Sequence, residues 1–112
     1  MKVAVIGSRG LMLDDLGQYL PPECSEIVSG GARGVDTGAR FYARAHGISL
    51  KEFLPDYRTY GGQAPLVRNH LIVDYADLVL AFWDGSSRGT KHVIDYAKSM
   101  GKPLKIFVVR RK

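Results

Sequence analysis

At 112 residues, 46% hydrophobic and 24% charged, the chain has room for one packed core but not for a separate substrate domain, so a ligand site must lie at a sheet edge or between subunits. Its formal net charge of +5 favours anionic partners such as nucleotides or nucleic acid. Cys24 is the sole cysteine, which excludes an internal disulfide framework, and no apolar run approaches the ~20 residues that cross a bilayer, so no membrane partner is expected.

Val3-Ala4-Val5-Ile6 is a continuous apolar run of the kind that a parallel strand covered on both faces requires. Nothing before it reads as a signal peptide, and the expected location is cytoplasmic. After Gly7-Ser8-Arg9-Gly10, a short helix with the stripe Leu13, Leu16 and Leu20 is expected, stopped by Pro21-Pro22. Residues 25–29 read as a second strand. Residues 35–46 carry Val35, Ala39, Tyr42 and Ala43 on one helical face, with Gly47 closing the helix. Residues 48–53 read as a third strand, and residues 54–63, rich in Tyr, Pro, Asp and Gly, as the longest irregular loop. Pro65 suits the first turn of a helix reaching about Asp74. A fourth strand over 78–83 leads to a helix over 90–100 with Val93, Ile94 and Ala97 inward, ended by Gly101-Lys102-Pro103. Residues 106–109 close the chain as a fifth strand.

This alternation predicts one α/β domain over residues 1–112: a single Rossmann-like, open, mostly parallel five-stranded sheet with helices on both faces. The strand order is not readable from the sequence, and 3-2-1-4-5 is the order assumed. Ligands on such sheets bind beyond the carboxyl ends of the strands, where the strand order reverses. The turns after strands one, two and four open onto that edge.

Two of those turns are rich in glycine: Ser29-Gly30-Gly31-Ala32-Arg33-Gly34-Val35-Asp36 and Asp84-Gly85-Ser86-Ser87-Arg88-Gly89-Thr90. Glycine lets backbone approach a ligand closely, and a helix start offers unpaired N–H groups at the positive end of the dipole. Each turn is therefore a candidate anion site, most often one for phosphate. The dinucleotide fingerprint G-x-G-x-x-G is absent after the first strand, where Gly7, Ser8 and Arg9 stand, and no acidic residue ends the second. No G-x-x-x-x-G-K-[ST] occurs either. These absences argue against a standard NAD-dependent dehydrogenase and a P-loop NTPase.

Asp36 begins a helix, where it either caps the N-terminus or accepts a ribose hydroxyl or water. Gly89 and Thr90, with Ser86, Ser87 and Arg88 beside them, are the better phosphate candidates. Arg68 and Asn69 lie in an otherwise apolar helix and need a partner there, either a carboxylate such as Asp84, a helix end or a ligand. Trp83 ends the fourth strand, available for base stacking or core packing. His46, His70 and His92 have no metal spacing and no cysteine partners, so neither a metal site nor a cofactor is inferred. Tyr57, Arg58 and Tyr60 either cover a ligand or build a subunit contact, which puts a homo-oligomer among the expected partners. Lys102, Lys105, Arg110, Arg111 and Lys112 make the C-terminal end basic.

Together the blocks Ile6-Gly7-Ser8-Arg9, Ser29 through Asp36, Pro55-Asp56-Tyr57, Arg68-Asn69 and Phe82 through Thr90 resemble the SLOG superfamily, specifically its small single-domain YspA/YpsA-related branch. The resemblance covers essentially the whole chain and implies a Rossmann-like domain that binds nucleotides or nucleotide-derived ligands. The superfamily also includes Lonely Guy-type phosphoribohydrolases, sensor domains for NAD-derived signals and the DNA-binding DprA proteins. Its enzyme branch carries P-G-G-x-G-T-x-x-E, with a catalytic glutamate on the helix and an arginine on the preceding one. Gly89-Thr90 matches the G-T and Arg68 is similar to the arginine, but Gly85-Ser86-Ser87 replaces the P-G-G. His92 and Val93 stand where the helix glutamates would fall, and the three glutamates Glu23, Glu26 and Glu52 lie elsewhere. The resemblance thus implies a phosphate cradle without the acid for glycosidic cleavage.

The expected function is binding, for sensing or sequestering, of a nucleotide or nucleotide-derived phosphate ligand. The expected ligand set is Gly7, Ser8, Arg9, Ser29, Gly30, Gly31, Ala32, Gly34, Asp36, Arg68, Asn69, Trp83, Gly85, Ser86, Ser87, Arg88, Gly89 and Thr90. One alternative is a nucleoside 5'-monophosphate phosphoribohydrolase using Arg68 with Asp36, Asp84 or His92. The other is single-stranded nucleic-acid binding through the basic C-terminus.

Overall fold

Successive strand side chains point to opposite faces, and in the first strand both sets are apolar. Val3 and Val5 face one side and Ala4 and Ile6 the other, so both faces must be covered. In a computed structural model of the chain, which describes residues 1–11, 13, 15–32 and 34–109, helices supply that cover. The strands are β1 (Lys2–Gly7), β2 (Glu26–Ser29), β3 (Ser49–Glu52), β4 (Leu78–Trp83) and β5 (Leu104–Val108). The helices are α1 (Val35–Ala45), α2 (Tyr57–Tyr60), α3 (Ala64–Tyr75) and α4 (Arg88–Ser99), with single 3-10 turns at Leu16–Gln18 and Gly61–Gln63.

All strand pairings are parallel, in the order β3-β2-β1-β4-β5. The expected order is present, and "mostly parallel" becomes wholly parallel. Val35, Ala39 and Ala43 of α1 pack with Leu11 and Leu16 on one face. Ile72 and Val73 of α3 and Val93, Ile94 and Ala97 of α4 pack on the other. The chain moves outward from β1 to β3, then returns to lay β4 against the free side of β1. The carboxyl ends of β1 and β4 therefore flank the reversal. No helix among the described residues is long and apolar enough to cross a membrane.

Several local expectations need correction. Among the described residues of the helix expected on Leu13, Leu16 and Leu20 there is one 3-10 turn, which the Tyr19 N–H closes on the Leu16 carbonyl, and Gly17 packs under Tyr42 (an added Cβ would lie 2.6 Å from its hydroxyl). The loop over 54–63 contains α2 and a 3-10 turn. Asp56 starts α2 by accepting the Thr59 N–H at 3.1 Å, an N-cap that a Pro-Asp pair before Tyr57 advertises. The last helix begins at Arg88, two residues earlier than expected, which puts Gly89 and Thr90 inside its first turn. β5 begins at Leu104, where pairing with Val79 of β4 starts.

Candidate functional site

The turns after β1, β2 and β4 converge because glycines let their backbones touch. A Cβ on Gly7 would lie 2.6 Å from both the Phe82 carbonyl and the Val35 side chain. A Cβ on Gly34, whose φ is +72°, would lie 2.4 Å from the Arg9 carbonyl. Ser8 is buried; its Oγ accepts the Asp84 N–H at 3.2 Å and lies 3.4 Å from Thr90 Oγ1. The β1 turn is thus pinned to the β4 turn and to α4.

These contacts leave a cleft of about 450 Å³ beyond the strand ends, closed on one side by α3. It is lined by Gly7, Arg9, Gly30, Ala32, Asp36, Arg68, Asn69, Asp84, Ser86, Ser87, Gly89 and Thr90, with Ile6, Pro65, Leu66, Ile72 and Val93 as its apolar walls. Residues from three separate turns and from α3 meet there.

The remaining expected residues stand around the cleft rather than along it. Ser29 is buried and its Oγ accepts the Gly31 N–H at 3.2 Å. Gly31, with φ +70°, faces Leu54, so its glycine answers to backbone conformation and not to ligand approach. Trp83 packs against the α3–α4 side of the core and donates through Nε1 to the Ser87 carbonyl at 3.0 Å, bracing the loop. Gly85 supplies the loop's positive φ, and Arg88 is exposed. His92 faces Asn69, whose Nδ2 is 3.3 Å from its Nδ1, and stacks on His70 at 5.1 Å. Burial, followed by His70, lowers its pKa. Lys102 reaches the Ala76 carbonyl at the end of α3. Arg33, Arg110, Arg111 and Lys112 lie outside the described residues.

Asp84 organises the β4 turn: its Oδ1 accepts the N–H groups of Ser86 at 2.9 Å and Ser87 at 2.8 Å. Ser87 is the N-cap residue of α4 by position but makes no side-chain cap. Among the described residues the start of α4, at the mouth of the cleft, thus has no side-chain cap from its N-cap residue. Arg68 donates through Nη1 to the Gly30 carbonyl at 2.7 Å and through Nε to Asn69 Oδ1 at 3.0 Å. Of the partners expected for it (a carboxylate such as Asp84, a helix end or a ligand), the structure gives this carbonyl, with Asp36 as the nearby opposite charge.

Asp36 is 5% exposed. Its Oδ2 accepts the Ala32 N–H at 3.1 Å, while Oδ1 is the one buried side-chain polar atom without a hydrogen-bond partner among the described residues. Burial pushes the carboxyl pKa up to about 6, against the pull of the Ala32 N–H, the Arg68 guanidinium and the Gly30 N–H. No three His, Cys, Asp or Glu side chains among the described residues form a metal-binding group.

No family model matches the chain, and no solved structure matches it. The chain is similar to the Gene 61 protein of Mycobacterium phage D29, at 36% identity over 84 residues that cover 70% of this chain and 67% of the phage protein. The chain belongs to the family of that Gene 61 protein. In this Gene 61 family member, the site residues passed over in the sequence are the apolar ones: Ile6, Pro65, Leu66, Ile72 and Val93. A signal was present on α3, where Leu66, Val67, Leu71, Ile72 and Val73 surround the helix with no single apolar stripe. Such a helix has one side on the core and another left for a cleft or partner.

Proposed function

We propose that the chain binds a nucleotide or nucleotide-derived phosphate ligand in this cleft, as a sensing or sequestering domain. The observation that carries the proposal is the pairing, in one cleft, of a twelve-residue helix whose N-cap residue makes no side-chain cap and a buried carboxylate oxygen without a hydrogen-bond partner among the described residues. The helix end, with Arg9 and Arg68 nearby, suits a phosphate. The carboxylate repels phosphate and suits a hydroxyl. The turns carrying these groups leave β4 and β2, two strand spacings or ~10 Å apart across β1. The phosphate and sugar of one nucleotide bridge such a gap. The SLOG resemblance supports the same ligand class.

Calorimetry and thermal unfolding with AMP, ATP, NAD, ADP-ribose and inorganic phosphate test the proposal. A ligand at 100 times its Kd stabilises the fold by about 2.7 kcal/mol. Saturable binding by a phosphate-bearing nucleotide is expected; no shift with any of them at millimolar concentration overturns the proposal. Glycosidic cleavage has weaker support. His92 lies off the cleft and Asp84 Oδ1 holds loop amides, which leaves Asp36 as the acid. Nucleic-acid binding would rest on the basic C-terminus, where Lys102 is already engaged.

A further inference from the structure

Asp36 has a chemical requirement that the fold leaves unmet. One carboxylate oxygen takes the Ala32 N–H; the other is buried and makes no hydrogen bond among the described residues, although the Gly30 N–H and the Arg68 guanidinium stand close enough to favour the charged carboxyl. A buried, unpaired polar atom is costly and rare in native structures, and it favours whatever brings a donor to it. Asp36 lines the cleft, so a ligand can bring that donor. Resting on the nucleotide reading above, we propose that Asp36 receives a ribose hydroxyl, fixing the ligand with its sugar toward β2 and its phosphate toward α4, and making the site selective for ribonucleotides over deoxynucleotides.

Charge sets this polarity. A phosphate against Asp36 would meet a like charge in a poorly solvated corner, whereas at α4 it meets a helix start with no N-cap side-chain bond and the positive end of the helix dipole. A sugar hydroxyl can donate to the carboxylate and still accept from a neighbour. Arg68, held at Gly30 through Nη1, stands beside Asp36 as that neighbour.

The test titrates the intact protein by calorimetry with AMP, 2'-deoxyAMP, 3'-deoxyAMP, ribose 5-phosphate and 2-deoxyribose 5-phosphate, then repeats the series on Asp36→Asn and Asp36→Ala. Removing the recognised hydroxyl should weaken binding roughly 10- to 150-fold, the range for a lost hydrogen bond to a charged group. Asp36→Ala should bind the ribo and deoxy forms alike, and Asp36→Asn should narrow the gap. The comparison among analogues needs no variant, so misfolding cannot mask it. Equal binding of AMP and both deoxy analogues by the unaltered protein overturns the inference while leaving the nucleotide reading intact, as does discrimination that survives in Asp36→Ala. If neither AMP nor ribose 5-phosphate binds, the inference falls, and the nucleotide reading falls with it only when ATP, NAD and ADP-ribose fail to bind as well.

Discussion

Arg68 donates through Nη1 to the carbonyl of Gly30 at 2.7 Å, across 38 residues of sequence. This contact joins α3 to the β2 turn and holds a guanidinium at the cleft. Gly30 permits it, since a Cβ there would sit 2.5 Å from Nη1 and 3.2 Å from Asp36 Oδ2. Gly30→Ala should therefore push Arg68 out of place and lower nucleotide affinity at least ~10-fold, the scale of a lost charged hydrogen bond. Calorimetry measures the affinity and far-UV circular dichroism checks the fold. Unchanged affinity would mean that Arg68 does not position the ligand.

Gly89 and Gly31 should respond differently. A helix Cβ tilts toward the N-terminus, so a side chain at Gly89 would lie over the amides at the mouth of the cleft, and nothing stands within 4 Å of its Cβ position. Gly89→Leu should keep or slightly raise stability, as Gly is a poor helix former, yet abolish phosphate binding. Gly31→Val meets Leu54 and a φ of +70°, and should cost about 1–3 kcal/mol of stability with a smaller effect on binding. Urea unfolding paired with calorimetry separates the two; the reverse pattern would show that the β2 turn, not α4, holds the phosphate.

The architecture was legible because its signals are local. Continuous apolar runs such as Val3-Ala4-Val5-Ile6 marked buried strands, and the alternation with helices implied parallel crossovers, while the strand order depends on packing that no local signal carries. The cleft was legible only in part. Gly30, Gly89 and Thr90 line it as their turns suggested, but Gly31, Ser29, Gly34 and Ser8 serve the turns themselves. A glycine needed for positive φ and one needed for close approach look alike in sequence; only the neighbouring Leu54 or Arg68 distinguishes them. Likewise, the sequence left Trp83 between base stacking and core packing, and the structure packs it against the core with its Nε1 bonded to the Ser87 carbonyl.

Asp36 should make stability depend on pH. Its folded carboxyl holds a proton until about pH 6, whereas the unfolded one releases it near 3.8. Between these values the native state binds more protons, so this group's contribution falls as pH rises through the window and is least favourable above 6. Glu52 adds to the effect, while Arg68 and the Ala32 and Gly30 amides oppose it. Asp36→Asn should thus stabilise the unliganded protein at pH 7.5 by on the order of 2–3 kcal/mol, with most of the gain gone by pH 4. Urea unfolding at the two pH values checks this. A variant less stable at pH 7.5 would mean that the charge is already compensated.

Hydrolysis of nucleoside monophosphates to base and ribose phosphate should be absent or very slow, because His92 is turned to Asn69 and His70 rather than into the cleft. Chromatography of AMP incubated with the protein would show it. Several turnovers per minute, lost on Arg68→Ala, would establish a nucleotide N-glycosidase instead.

The most direct measurement is a titration of the isotope-labelled protein with AMP and ADP-ribose, followed through its backbone amide resonances. Binding at the cleft predicts saturable shifts at Gly7, Gly30, Ala32 and the first turn of α4, Gly89 and Thr90 above all, with β5 and the exposed face of α1 unmoved. Shifts confined to other surfaces, or none at millimolar nucleotide, would contradict a nucleotide site built on these turns.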